Sequence, residues 1–160
     1  MAGSYTPNLI TINPSWGGTW GFNQGVQLQV VYDEEACQYR IENPSIDILY
    51  TAPADIDYSA GSVMTFIEVA DLFGYFPGAH ATLDAILLDG TEVTGWDATK
   101  VVDTSEGSKY RLEFWNMYGA TSVTGSAFGP SDGGIVHELG FSTSMQVKFT
   151  FRNLYAVPQW

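Results

Sequence analysis

Apolar and polar residues alternate with a period of two through most of the chain, and a helical period is almost absent. In SIDILYT, Ile46, Ile48 and Tyr50 fall on one face, opposite Asp47, Leu49 and Thr51. GVQLQVVYD sets Val26, Leu28 and Val30 against Gln27 and Gln29. SKYRLEFWN sets Tyr110, Leu112 and Phe114 against Arg111, Glu113 and Trp115. MQVKFTFRN sets Val147, Phe149 and Phe151 against Gln146, Lys148, Thr150 and Arg152. Successive side chains of a strand point to opposite faces, so each segment predicts a half-buried strand. Asp89-Gly90, between ATLDAILL and TEVTGW, marks a hairpin. Ser105-Glu106-Gly107, Pro77-Gly78 and Ser131-Asp132-Gly133-Gly134 read as further turns. Only IEVADLFGYF suggests a helical turn, ended by Gly74 and Pro77. Short strands joined by Gly and Asp turns predict an all-β fold: one antiparallel, jelly-roll-like β-sandwich domain.

The alternation also indicates which aromatic rings face water. Trp115 shares a face with Arg111 and Glu113, so it is expected outside the core, at an edge, under a loop or on a flat binding platform. The segment NPSWGGTWGFNQG carries Trp16 and Trp20 among Gly, Ser, Thr, Asn and Gln, without the apolar neighbours a core indole normally has. These two rings either cap one end of the sandwich or meet a ligand. On extended chain, residues four apart face one side, roughly 13 Å apart. Trp96, in the turn TGWDA, is a further exposed candidate, whereas Trp160 after Pro158 is read as plain chain end. An indole face suits the C–H face of a pyranose, with amides, carboxylates and guanidinium groups exchanging hydrogen bonds at the sugar's rim. Gln27, Gln29, Arg111, Glu113, Gln146 and Arg152 would supply such a polar floor around Trp115 if their strands are neighbours. On this reading Trp115→Ala should abolish most binding and leave stability intact.

Composition and charge narrow the partner. The chain has 160 residues, 45% of them hydrophobic, which suits one well-packed domain. Six Lys plus Arg against eighteen Asp plus Glu give a net charge of −12. That argues against nucleic acid, whose binders need clustered Lys and Arg, and against anionic membranes. A neutral polyhydroxylated partner meets no repulsion. No apolar run is long enough to span a membrane. The opening MAGS, residues 1–4, has the look of a cloning remnant, leaving residues 5–160 as the module. The expectation is a module cut from a larger secreted, extracellular protein, its native signal peptide lying outside this chain. Cys37 is the only cysteine, so no internal disulfide forms, and it is expected partly buried. His80 and His137 are remote from it in sequence.

GYFPGAHATLDAILLDGTEVTGWD, YRLEFWNMYGAT and MQVKFTFRNLYAV together resemble β-sandwich carbohydrate-binding modules attached to glycoside hydrolases (cellulases) of cellulolytic gut and rumen bacteria. The resemblance covers roughly residues 45 to 157 and rests mainly on structural motifs, so it speaks to the fold more than to the ligand. It implies a non-catalytic module that holds a covalently linked catalytic module on plant cell-wall polysaccharide. The expected ligand is a β-1,4- or mixed-linkage β-glucan such as cellulose, in a free enzyme or a cellulosome. Two other classes stay open. One is a protein-docking or structural module of an extracellular scaffold, with exposed Trp as interface anchors. The other is a small glycosidase using Glu113 with Glu42 or Glu68 across a cleft. No HExxH, no His pair at ligand spacing and no GxSxG elbow is present. No cofactor is expected. ADIDYSAG and GPSDGG offer oxygen ligands for a structural calcium ion, but neither matches an EF-hand loop.

Overall fold

A computed structural model describes residues 3–116, 121–122 and 138–156. In chain order its strands are β1 (Ser4–Tyr5), β2 (Pro7–Ile12), β3 (Gly18–Phe22), β4 (Leu28–Asp33), β5 (Gln38–Ile41), β6 (Ser45–Thr51) and β7 (Met64–Val69). The short helix α1 (Leu72–Tyr75) follows. Then come β8 (His80–Leu88), β9 (Thr91–Glu92), a 3-10 turn (Ala98–Lys100), β10 (Val102–Glu106), β11 (Lys109–Asn116), β12 (Thr121–Ser122), β13 (Ser144–Arg152) and β14 (Tyr155–Ala156). All pairings are antiparallel. The protein is an all-β, sandwich-like domain.

The described residues form three sheets. One runs β6-β13-β8-β9, one runs β10-β11-β7-β2-β3 with β12 on β11, and one runs β1-β4-β5-β14. Alternation sets which face each sheet buries. β6 follows the predicted phase without a break, Ile46, Ile48 and Tyr50 buried and the residues between them exposed. On β13, Val147 lies opposite Ile48 on one side and Ile86 on the other, and all three are fully buried. Leu9, Ile67 and Leu112 make the equivalent row across β2, β7 and β11. Leu28 and Ile41 of the third sheet join the same cluster. Polar atoms and rings bridge the layers: the Tyr110 hydroxyl accepts from the Ala81 amide at 2.8 Å, and Phe22 packs on Tyr50 at 5.0 Å.

The turns follow their chemistry. Asp89 and Gly90 both take positive φ (52° and 80°), the geometry whose twist matches a two-residue hairpin. The Asp89 carboxylate also accepts from the amides of Ser142, Thr143 and Ser144, tying the β8–β9 hairpin to the start of β13. The β10–β11 turn falls on Gly107-Ser108, with Ser105 and Glu106 still in the strand. The predicted helix splits. Ile67 to Val69 complete β7, because pairing to β2 and β11 buries both Ile67 and Val69, and only Leu72–Tyr75 turn helical. Gly74 sits inside that turn instead of ending it. One edge of the β6 sheet is covered by a side chain: the Gln24 amide donates to the Asp47 carbonyl at 3.1 Å and accepts from the Leu49 amide at 3.0 Å. The Ser131–Gly134 turn, GPSDGG, His137 and Trp160 lie outside the described residues.

Candidate functional site

Trp115 is a correction. Its register on β7 shifts between Glu113 and Trp115, so one extra residue, Phe114, is inserted on β11. A bulge of this kind reverses the phase of every side chain beyond it. Trp115 therefore faces inward with Phe114, fully buried in the main core. Its indole N–H donates to the Ser62 carbonyl. Around it lies a buried hydroxyl chain in which Thr65 meets Ser62 at 2.7 Å and Thr11 at 2.9 Å. A ring placed so cannot serve as a surface platform.

The polar floor does not assemble either. Gln27 and Gln29 belong to the β1-β4-β5-β14 side, Arg111 and Glu113 to the β11 sheet, and Gln146 and Arg152 to the β6-β13-β8-β9 sheet. Gln27 accepts from the Thr6 hydroxyl. The Gln29 backbone is held between Asn43 and Glu42, and its side chain is exposed. Arg111 donates to Glu68 at 2.8 Å and lies over the Phe66 ring at 4.7 Å. Glu113 is buried and accepts from Asn116. Gln146 donates to Asp47 at 2.8 Å. Trp96 is half-buried against the main core instead of standing free. Cys37, expected partly buried, is exposed, because it closes the β4–β5 turn in left-handed backbone (φ 53°).

Trp16 and Trp20 remain, and both rings are on show, 51% and 61% exposed. They do not share one extended strand. Trp16 sits in a tight turn at φ 63°, and Trp20 on the edge strand β3. The turn is organised by buried Asn13. Its side-chain oxygen accepts from the amides of Ser15 and Gly17, and its amide nitrogen donates to the Asp57 carbonyl at 2.9 Å. Gly18 then lets β3 press onto β2. A Cβ there would stand 2.3 Å from the Thr11 carbonyl oxygen, at a φ of 142°. The β2–β3 register carries one extra residue on β3, so Thr19 and Phe22 both pair inward while Trp20 and Gly21 face water.

Tyr58 fixes this edge from beneath. Its hydroxyl donates to the Thr11 carbonyl at 2.9 Å and accepts from the Thr19 amide at 3.2 Å, one residue before Trp20. Tyr50 completes the set at 3.1 Å, and Phe141 stacks on the Tyr58 ring at 4.5 Å. Burial first, then the Tyr50 hydroxyl, push the Tyr58 phenol far above its ordinary range, so it stays neutral. Nothing in the sequence singles out Tyr58. Asn13 has a signal, since Asn before Pro-Ser is a common turn former.

Around ADIDYSAG, the Asp57 carboxylate accepts from the Ser59 amide at 2.8 Å, and its own hydrogen bonds to Ser59 hold it below the usual carboxylate range. Among the described residues no three His, Cys, Asp or Glu side chains gather in a way that would hold a metal ion. Among the described residues no helix is long and apolar enough to cross a membrane. Comparison of the chain with family models, with curated proteins and with solved structures finds no match to any of them.

Proposed function

We propose that the protein is a non-catalytic polysaccharide-binding module that receives β-linked glucan on the indole faces of Trp16 and Trp20. The observation that carries this reading is the pair of exposed indoles on backbone fixed by Asn13, Gly18 and Tyr58. Two indoles more than half exposed on and beside one ordered edge strand offer apolar faces that a ligand can cover. The surrounding Gly, Ser, Thr and Asn leave the backbone open to a polymer chain. Joined to a glycoside hydrolase in an extracellular protein, such a module would raise the enzyme's effective concentration at plant cell wall.

A second reading rests on β3 itself. It is the outer strand of its sheet among the described residues, so a partner protein could add a strand there with Trp20 as its anchor. One experiment separates the two. The chain is run through native gels containing barley β-glucan, xyloglucan, hydroxyethylcellulose, xylan or glucomannan. The expected result is retardation by a β-glucan, lost in Trp20→Ala and reduced in Trp16→Ala, with both variants melting like the parent. Retardation in none of the gels would sink the glucan reading and favour the docking one.

A further inference from the structure

We propose a second ligand site, for a sugar bearing a carboxylate (a uronate), in the cleft where β5 meets the β13–β14 connection. The cleft measures about 370 Å³ and is floored by the buried apolar residues Ile41, Phe151 and Leu154. Tyr155 lies directly opposite Arg40 in the β14–β5 register, so the phenol and the guanidinium share a face. Arg152 enters from the end of β13. The chain then turns at Asn153 in left-handed backbone (φ 57°), which Asn tolerates, and delivers Tyr155 to the same cleft. Tyr155 is 51% exposed, an open ring at the mouth of an apolar floor.

The charges point to the ligand class. The chain has three arginines, and two of them line this cleft. The third, Arg111, is committed to Glu68. Arg40 reaches Asp33 through Nε at 3.5 Å. Arg152 has no acid partner among the described residues, in a protein where acids outnumber bases eighteen to six. An unmatched guanidinium beside an aromatic ring and an apolar floor fits a carboxylate from outside. Glu42 on the rim disfavours a dense polyanion but accepts well from hydroxyl groups. One carboxylate, several hydroxyls and an apolar ring face together describe a uronate. The site shares no residue with Trp16 or Trp20, so it stands or falls apart from the glucan reading.

Calorimetric titration tests it, with methyl galacturonoside, a single uronate, as the probe and its methyl ester and an aspartate-rich peptide as comparators. The uronate should bind, weaken as salt rises from about 0.02 to about 0.5 M, and lose about tenfold or more in affinity in Arg152→Gln, the worth of a charged hydrogen bond. Circular dichroism would confirm that this exposed variant folds. Trp16→Ala and Trp20→Ala should bind the probe as the parent does. Absence of binding, equal binding of the ester or the peptide, or an unchanged affinity in Arg152→Gln would each overturn the proposal. So would a loss of uronate binding in the tryptophan variants, which would place the ligand elsewhere.

Discussion

The Trp115 indole is fully buried, and its N–H is satisfied by the Ser62 carbonyl. Truncation would open a cavity and strand an acceptor beside the Thr11–Thr65–Ser62 hydroxyl chain. Trp115→Ala is therefore expected to cost about 3–5 kcal/mol of stability, measured as a fall in urea midpoint. A variant as stable as the parent would mean that the ring is not part of the core. Tyr58→Phe removes less matter but more bonding. The Thr11 carbonyl, the Thr19 amide and the Tyr50 hydroxyl all lose a partner. Leaving buried polar groups unpaired costs about 1–3 kcal/mol. The loss should appear in urea unfolding and as faster hydrogen exchange at the Thr19 amide, and unchanged exchange there would refute the hub role. Trp20 shows how far residue identity was legible. Its polar neighbours left a capping ring and an exposed ring both open, and the fold exposes it, whereas the charges beside Trp115 announced a ring outside the core wrongly, because the inserted Phe114 turns that ring back inside.

Elements read well where alternation runs unbroken. SIDILYT became β6 in phase, and Asp-Gly became a two-residue hairpin, since period and turn chemistry are both written in side chains. Bulges are written in backbone register and leave no such mark, so β11 beyond Glu113 and the whole of β3 were illegible. Sheet membership was equally hidden. Strands that a single polar floor would have required as neighbours belong to three sheets, because long-range pairing is settled by the core they share. The β8–β9 hairpin carries its own pH test. Hydrogen bonds from Ser142, Thr143 and Ser144 hold the Asp89 carboxyl below the usual carboxylate range. Ionised Asp89 thus favours the folded chain above its unfolded value of about 3.9, and that contribution disappears as pH falls through the lower folded value. Asp89→Asn keeps the left-handed turn but removes the charge. The variant should be less stable than the parent at neutral pH and converge with it in acid. A gap that persists unchanged into acid would rule out the carboxylate as its source.

At the scale of the whole molecule, all three sheets feed one apolar cluster, from Leu28 and Ile41 through Leu9 and Ile67 to Ile48 and Val147. Shared burial makes unfolding cooperative, so far-ultraviolet circular dichroism and tryptophan fluorescence should trace a single coincident urea transition. An early separate step would mean that the β1-β4-β5-β14 sheet melts by itself. The cluster also explains why alternation located the fold class but not the site: alternation reports which face of each strand is buried, and surface placement depends on where each strand ends and shifts register. A final consequence follows from Gln24 lying along β6. Among the described residues β6 is an outer strand of its sheet, and it carries Leu49 exposed on its face, so its edge is open to pairing with a foreign strand. One side-chain amide occupies the carbonyl and the amide hydrogen that an incoming chain would need first. A single glutamine thus shields the stretch around the exposed Leu49 from strand addition.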